Sequence, residues 1–122
     1  MAALAGTKVA YVKAHGALAN HAAETPAVAA AIVAAVRAVS PALALLAISG
    51  TCQEDAAHAA HCSVYSEIFA DRAYLSDGQL APRRLSGAVH HDPERILDQA
   101  LAIASGESFA DIDGKPLRLR AD

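Results

Sequence analysis

The sequence predicts an α/β fold with a mostly parallel sheet, for three reasons. Short β-rich runs alternate with longer alanine-rich runs along the 122 residues, and this switch in periodicity is typical of βα units. Residues 43–48 are continuously apolar, as expected of a strand that is covered on both faces. Asp113-Gly114 has the composition of a hairpin turn. We therefore expect three parallel strands, three helices and a C-terminal hairpin, in one domain that covers residues 1–122.

The first βα unit is predicted from the N-terminal third of the chain. Residues 8–13 form a β-rich run, and His15-Gly16 ends it. Glu24-Thr25-Pro26 places an acidic residue and a proline at the start of a helix. We expect this helix to run to about residue 39, because Ser40-Pro41 follows.

Two further strands and a helix follow in the middle of the chain. The strand at 43–48 leads into Ser49-Gly50-Thr51, which opens a weaker helix that continues to residue 60. Residues 63–70 form the third predicted strand. From 71 to 91 the chain has few long apolar runs and several glycine and proline residues. We expect an ordered loop there, and loops of that length inside compact domains are usually functional.

The C-terminal part contains one helix and the hairpin. Asp92-Pro93-Glu94 caps and opens a helix that runs to about residue 105, and Gly106 ends it. Residues 109–119 form the hairpin, with Asp113-Gly114 as its two-residue turn.

Charge and hydropathy exclude two kinds of partner. The net charge is −3, and acidic and basic residues are interspersed, so the chain lacks the basic stripe that binds nucleic acid through its phosphates. The longest strongly apolar stretch, residues 27–36, is about half of the ~20 residues that a membrane-spanning helix needs. Residues 1–8 lack the basic start and apolar run of a secretory signal. We therefore expect a cytoplasmic protein.

Polar side chains follow each of the three predicted strands. The carboxyl ends of parallel strands usually carry the functional site of α/β proteins, so we expect these clusters to face one rim. The clusters are Lys13, His15, Gly16 and Asn20; Ser49, Gly50 and Thr51; and Glu67, Asp71, Arg72 and Tyr74. A histidine can exchange protons near neutral pH, and the fork of an arginine suits a substrate carboxylate. The alternative is structural: His15 caps a turn, and Asp71 and Arg72 form an ion pair.

The histidines and cysteines give a weaker signal. In His58-x-x-His61-Cys62 the imidazoles would share one helix face and a thiolate would lie nearby. Few further ligands surround them, and histidines on the solvent side of a helix explain the same pattern, so we predict no protein-bound metal. Both cysteines are expected to be small buried hydrophobes. Of His90 and His91, we expect one to point into the loop and the other to solvent.

Three motifs in the chain match the pattern of a known family. Residues 12–20 are V-K-A-H-G-A-L-A-N, residues 67–83 contain E-I-F-A-D-R-A-Y, D-G-Q-L and P-R, and residues 87–94 are G-A-V-H-H-D-P-E. In this order and at these intervals they resemble the LamB/YcsF family. Its patterns are V-K-P-H-G-A-L-Y-N, then E-V-F-A-D-R-x-Y, D-G-x-L and P-R, then G-A-x-I-x-D-P-E. The resemblance covers residues 6–122.

The resemblance implies a fold, a reaction and partners. The fold is a partial (β/α) barrel of the glycoside hydrolase/deacetylase type. The reaction is that of 5-oxoprolinase, in which the family supplies the A subunit: ATP-dependent hydrolysis of the lactam 5-oxo-L-proline to L-glutamate, with ATP and its Mg²⁺ used through the partner subunits B and C. A lactam is a resonance-stabilised amide, so phosphorylation of its oxygen would make the ring carbon electrophilic enough for attack by water.

The resemblance also implies site residues, carried over one by one. The catalytic set is His15, Asp71, Lys13 and Glu67, and the substrate-binding set is Arg72, Asn20, Tyr74 and Arg83. As a hypothesis, Arg72 or Arg83 holds the substrate carboxylate and Lys13 offsets phosphate charge. His15 or Asp71 then handles protons.

The chain departs from the family pattern in two places. It has no counterpart of the family's D-L-N-x-D-x-G-E and C-G-x-H-A-G-D-P motifs, and it stops before the final strand with its H-G-D motif. Three strands are too few to close a barrel, so we expect the chain to be inactive alone and to form a homo-oligomer or bind partner subunits. The alternatives are a non-catalytic binding or assembly module, and a truncated family remnant that dimerises through its open sheet edge.

Overall fold

A computed structural model gives the structure of the protein and describes residues 6–122. The first five residues, which belong to the predicted domain and to the segment predicted to lack a secretory signal, lie outside the described residues. In chain order the elements are β1 (Tyr11–Lys13), α1 (Gly16–Glu24), α2 (Pro26–Val39), β2 (Ala44–Ile48), α3 (Cys52–Ala59), β3 (Val64–Glu67), α4 (Pro93–Ser105), β4 (Phe109–Ala110) and β5 (Pro116–Leu117). The chain divides into two compact units, Met1–Tyr65 and Ser66–Asp122, which we call the N-unit and the C-unit.

The first sheet confirms the predicted α/β class. Its strand order is β1-β2-β3, and β1 runs parallel to β2 with Tyr11 opposite Ala44 and Lys13 opposite Leu46. Four of the five residues of β2 are buried, which agrees with its continuous apolar sequence. Helices connect consecutive strands, as parallel pairing requires.

The core of the N-unit lies between this sheet and two helices. Leu45 and Ala47 of β2 pack with Val33 and Val36 of α2 and with Ala57 of α3. Burial of each valine or leucine side chain contributes roughly 1.5–3 kcal/mol. Alanine on the helices allows them to lie close to the strands, so a chain with few large side chains still forms a dense core.

The other face of the sheet carries two aromatic side chains. Tyr11 is opposite the small Ala44 and alternates with Val12, which packs against the core, so Tyr11 projects from the opposite face. There its ring meets that of Tyr65 edge to face, with centroids 6.3 Å apart. Both tyrosines are half-exposed.

The prediction of a single helix beginning at Glu24 was wrong, because two helices occupy this region. Residues 16–24 are helical and bury Ala19, Ala22 and Ala23, as their alanine content favours. Thr25 is extended, with φ −123° and ψ 102°, because the residue before a proline avoids the helical region and Pro26 has no N–H to continue α1. The chain therefore has four helices in its described part rather than three.

Among residues 6–122 no single helix is long and apolar enough to cross a membrane. Helices α1 and α2 reach the required length and hydropathy only as a pair, and they are bent by 119° at Thr25.

The C-unit begins with the irregular segment that was predicted as an ordered loop. Isolated antiparallel bridges join Arg72 to Val89 and Tyr74 to Leu80, and they give the segment a fixed path between β3 and α4. The third strand ends at Glu67, earlier than the predicted residue 70. Its continuation is prevented because the backbone N–H of Phe69 donates to the Tyr74 hydroxyl instead of to a strand.

The last helix follows the prediction closely. Asp92 is the N-cap of α4, and its Oδ1 accepts a hydrogen bond from the Glu94 N–H at 3.1 Å. Gly106 ends the helix in the left-handed conformation, with φ 68°, where glycine has no steric penalty.

The hairpin is confirmed, but its turn is not the predicted two-residue one. Strands β4 and β5 are antiparallel, and the Asp111 N–H donates to the Lys115 carbonyl, which leaves a three-residue loop. A two-residue type I′ turn needs positive φ at both central residues, whereas Gly114 has φ 80° and Asp113 does not have positive φ. The Asp111 carboxylate accepts the N–H groups of Asp113 and Lys115, and this favours the longer loop.

Candidate functional site

The candidate residues after β1 lie at the start of α1. Lys13 is the last residue of β1, and His15 occupies the N-cap position of α1 without a side-chain capping hydrogen bond. Gly16 has φ 59°, a left-handed conformation that other residues adopt only with strain. His15 and Asn20 are both exposed. The turn therefore presents an imidazole and a carboxamide to solvent, and the capping role considered for the His15 ring is not observed.

The second cluster is held by hydrogen bonds of the N-unit itself. The Thr51 hydroxyl donates to the Ile48 carbonyl at 2.7 Å, and the Gly50 N–H donates to Glu54 Oε2 at 2.6 Å. Gln53 is buried and its Nε2 donates to the Ala19 carbonyl at 2.9 Å. This contact ties α3 to α1, so the Gln53 side chain helps to fix the helix that carries Asn20.

The C-unit holds Arg72 by both ends of its guanidinium. Arg72 is 8% exposed, its Nη2 donates to the Ala81 carbonyl at 2.7 Å and its Nε donates to the Ala88 carbonyl at 3.2 Å. Hydrogen bonds to a charged group contribute more than neutral ones. The side chain therefore has a fixed position, and the residues that fix it belong to the segment predicted as a functional loop.

Charged neighbours adjust the electrostatics of Arg72. Burial lowers the pKa of Arg72, the Arg83 charge lowers it further, and the Asp71 carboxylate raises it. An arginine keeps its charge at neutral pH despite such a shift. Asp71 and Arg83 are both exposed, whereas Glu67, at the end of β3, is partly buried. Within the C-unit the structure thus brings Asp71, Arg72 and Arg83 into one electrostatic environment.

Tyr74 is a core residue of the C-unit. It is fully buried, its hydroxyl accepts the Phe69 N–H at 2.7 Å, and its ring meets Phe109 edge to face with centroids 5.6 Å apart. Burial raises the pKa of Tyr74 to about 12. The predicted substrate contact is not tested by these observations, but they show that the hydroxyl orders the end of β3.

Sequence reasoning missed Gln99, which organises the polar interior of the C-unit. Gln99 is buried in α4, and its Nε2 donates to the carbonyls of Phe69 and Arg72 at 3.0 and 2.8 Å. Its Oε1 lies 3.2 Å from Nε2 of His90. A signal was present, because Gln99 lies three residues after Ile96 and four before Ile103, on the inward stripe of the helix.

The two adjacent histidines separate as expected. His90 is 4% exposed and His91 is exposed. The backbone N–H of His90 donates to the Asp71 carbonyl at 2.8 Å. Burial lowers the pKa of His90, and the Arg95 charge lowers it further.

The His58, His61 and Cys62 cluster does not converge on one point. Cys62 is buried, and its Sγ faces the Leu43 and Ser63 carbonyls at 3.7 and 3.5 Å, whereas His58 and His61 are exposed. From residue 6 to the C-terminus no group of three His, Cys, Asp or Glu side chains is arranged to hold a metal ion. Cys52 and Cys62 are both free thiols.

Comparison with known proteins agrees with the motifs. The family model described as "LamB/YcsF family" matches residues 1–122. The chain belongs to the LamB/YcsF family.

Individual family relatives are similar along nearly the whole chain. The third A subunit of 5-oxoprolinase of Pseudomonas aeruginosa is 54% identical over 120 residues, 96% of this chain and 48% of its own length. The A subunit of 5-oxoprolinase of Corynebacterium efficiens is 47% identical over 96% of this chain and 46% of its own length. The crystal structure of a lactam utilization protein from Thermus thermophilus matches with a TM-score of 0.91 and 38% identity, over 98% of this chain and 49% of that one.

The chain spans about half the length of these LamB/YcsF relatives. The structure places the eight site residues implied by the resemblance in two groups: Lys13, His15 and Asn20 belong to the N-unit, and Glu67, Asp71, Arg72, Tyr74 and Arg83 belong to the C-unit.

Proposed function

We propose that this chain acts in the ATP-dependent hydrolysis of 5-oxo-L-proline to L-glutamate, as part of the A subunit of a 5-oxoprolinase. The observation that carries the proposal is its 43–54% identity to curated A subunits of 5-oxoprolinase over nearly its whole length. The similarity to a lactam utilization protein of known structure supports it. We also propose that the parallel strands and their helices form part of a (β/α) barrel of the glycoside hydrolase/deacetylase type.

The buried arginine of the C-unit supports a ligand with a carboxylate. 5-Oxo-L-proline carries a carboxylate beside its lactam ring, and arginine binds carboxylates through a planar pair of N–H groups. Two carbonyls already fix the Arg72 guanidinium, so little side-chain entropy is lost when a ligand binds. Arg83, which acts electrostatically on Arg72, adds positive charge for the same anion.

The other implied residues supply the remaining chemistry in this proposal. The Lys13 ammonium offsets phosphate charge, and the exposed His15 or Asp71 moves protons as water opens the activated ring. Glu67 assists in catalysis, while Asn20 and Tyr74 contribute to substrate binding. Phosphoryl transfer from ATP to the lactam oxygen releases ADP, and attack of water at the ring carbon then breaks the C–N bond and releases phosphate.

Subunits B and C complete the enzyme in this proposal. The relatives are named as one lettered subunit, and such a name belongs to a protein of several subunits. ATP, with the Mg²⁺ that accompanies its phosphates, is used through subunits B and C, and the reaction takes place in the cytoplasm where ATP is available.

Reconstitution tests the proposed function. The chain is mixed with purified 5-oxoprolinase subunits B and C, ATP, Mg²⁺ and 5-oxo-L-proline, and the formation of ADP and L-glutamate is measured. We expect activity that depends on both the lactam and the chain, and its loss by at least about 100-fold in Asp71→Asn, the scale of a lost acid–base group. Asp113→Asn, in the exposed β4–β5 loop, is the matched control. Unchanged turnover in Asp71→Asn would reject the site assignment, and no lactam-dependent turnover at all would reject the function.

The sheet supports a second candidate function, assembly with another copy of the chain. Both β1 and β3 are edge strands in the described sheet, and edge strands readily pair with further strands. The half-exposed pair Tyr11 and Tyr65 adds apolar surface on one face. We expect a dimer by light scattering at micromolar concentration if this candidate is right, and a monomer would remove it.

A further inference from the structure

Gln99 holds the main chain on both sides of Asp71. Its carboxamide Nε2 donates to the Phe69 carbonyl at 3.0 Å and to the Arg72 carbonyl at 2.8 Å. The His90 N–H donates to the Asp71 carbonyl, between these two. The segment from Phe69 to Arg72 is therefore fixed through three of its carbonyl groups, by groups from α4 and from the end of the loop.

The same contacts determine the protonation of the His90 ring. Both N–H groups of the Gln99 carboxamide are donated to carbonyls, so its Oε1 can only accept, and the ring atom beside it is Nε2 of His90 at 3.2 Å. Nε2 must then carry the proton, and in a neutral ring Nδ1 is the unprotonated nitrogen. Burial and the Arg95 charge favour the neutral ring.

The fixed segment carries Arg72, whose side chain is fixed independently. Its guanidinium donates to the Ala81 and Ala88 carbonyls, while its own carbonyl accepts from Gln99. With both the main chain and the guanidinium held, the position of the charge depends on Gln99 as well as on the loop. Displacement of such a group by about 1 Å is enough to weaken binding or catalysis severely.

We propose that Gln99 is a positioning residue, which acts through the Phe69–Arg72 segment and the His90 ring to pre-organise Arg72 for a carboxylate ligand. This inference rests on the proposed function for the identity of the ligand, but not for the positioning itself. Gln99 does not need to touch the ligand. Its two N–H groups set the path of the main chain, and its Oε1 selects the His90 tautomer.

Gln99→Met is the variant that tests the inference, because methionine has a similar length and lacks the carboxamide. His90→Ile is its partner variant: it removes the ring contact and leaves both carbonyl contacts of Gln99. Isoleucine is also the residue that the family pattern G-A-x-I-x-D-P-E has at this position. Far-ultraviolet circular dichroism identifies conditions in which each variant is folded.

Two measurements on the isolated chain decide the positioning role without any ligand. Nitrogen-15 NMR of the His90 ring should show the proton on Nε2 in the wild-type chain, and a proton on Nδ1 would overturn the inference. Amide hydrogen exchange of His90, whose N–H bonds to the Asp71 carbonyl, should become at least about ten-fold faster in Gln99→Met, because the local opening that exposes this amide becomes easier by the same factor. The amide of Cys62 in the N-unit should not change. Unchanged exchange at His90 would also overturn the inference.

Ligand binding separates positioning from a general loss of structure. By calorimetry, Gln99→Met should weaken the binding of 5-oxo-L-proline about ten-fold, and should not change that of 2-pyrrolidinone, the same lactam without the carboxylate. His90→Ile should have a smaller effect. Equal weakening for both lactams would show a merely structural role and overturn the inference. Failure of the wild-type chain to bind 5-oxo-L-proline would reject the proposed function, while the tautomer and the exchange rates would still decide whether Gln99 positions the segment.

Discussion

The N-unit and the C-unit present their candidate residues in different ways. His15 and Asn20 of the N-unit are exposed at the start of α1, and the backbone and Gln53 hold the helix that carries them. Arg72 and Tyr74 of the C-unit are buried and take part in hydrogen bonds that hold the loop together. Residues from one family pattern therefore have different physical roles, and the buried ones combine stability with any role in binding.

Each unit uses a buried glutamine to hold its candidate segment. Gln53 makes one contact, to the Ala19 carbonyl, whereas Gln99 contacts two carbonyls and the His90 ring. A buried carboxamide is costly unless its hydrogen bonds are made. We infer that the C-unit is the more tightly pre-organised of the two, and the following predictions test this difference.

The largest expected effect is on the stability of the C-unit. Arg72→Met removes two hydrogen bonds from a charged donor to buried carbonyls, and we expect the free energy of unfolding to fall by about 2–3 kcal/mol. Asn20→Ala in the N-unit should change it by no more than about 0.5 kcal/mol, because Asn20 is exposed. Urea unfolding measures both. Arg84→Met, at an exposed position of the same loop, is the control, and equal losses in all three variants would refute the contrast.

A smaller effect is expected at the turn that carries His15. Gly16→Ala places a Cβ on a residue with φ 59°, which costs about 1–2 kcal/mol, although the Cβ would meet no atom within 4 Å. The loss of stability should therefore come from backbone strain and not from a clash. Ala17→Ser, at the next exposed position, should stay within about 0.5 kcal/mol in the same thermal unfolding experiment. A much larger loss for Gly16→Ala would mean that this turn is packed rather than exposed.

The smallest effect is a pH dependence that comes from His90. Its pKa is lowered from 6.5 in the folded chain, first by burial and then by Arg95 and His91, while Gln99 and Asp71 act in the opposite direction. Just below pH 6.5 the unfolded chain therefore binds more protons at this residue than the folded chain does, so stability falls as the pH decreases through that window. Above this window the contribution is fully present. His90→Ile should flatten this part of the profile of unfolding free energy against pH, and an unaltered slope would contradict the shift.

Local signals in the sequence predicted the parts of the fold that local physics controls. The Asp92 cap, the Gly106 stop and the apolar β2 strand were all predicted because each depends on neighbouring residues only. The break at Thr25 is local as well, but Pro26 was interpreted as the start of a first helix, and the helical character of the alanine-rich run before it was overlooked. The three-residue loop of the hairpin depends on the Asp111 side chain, which a turn dipeptide does not reveal.

The candidate site was predictable as a set of residues but not as an arrangement. Motif letters identified Arg72 and Tyr74, whereas their burial depends on carbonyls up to 16 residues away in sequence. Gln99 contacts Phe69 across 30 residues, and only the inward stripe of α4 indicated that its side chain is buried. Pairings over such distances form when the chain folds, and composition or spacing does not encode them individually.

Titration of the chain with 5-oxo-L-proline and 2-pyrrolidinone tests most directly whether the buried Arg72 binds a carboxylate. The account predicts measurable heat for the acid, a much weaker signal for the neutral lactam, and at least about ten-fold weaker binding of the acid in Arg72→Lys, because lysine lacks the planar fork. Arg84→Lys should bind as the wild-type chain does. Equal affinity for the two lactams, or no difference between Arg72→Lys and Arg84→Lys, would contradict it.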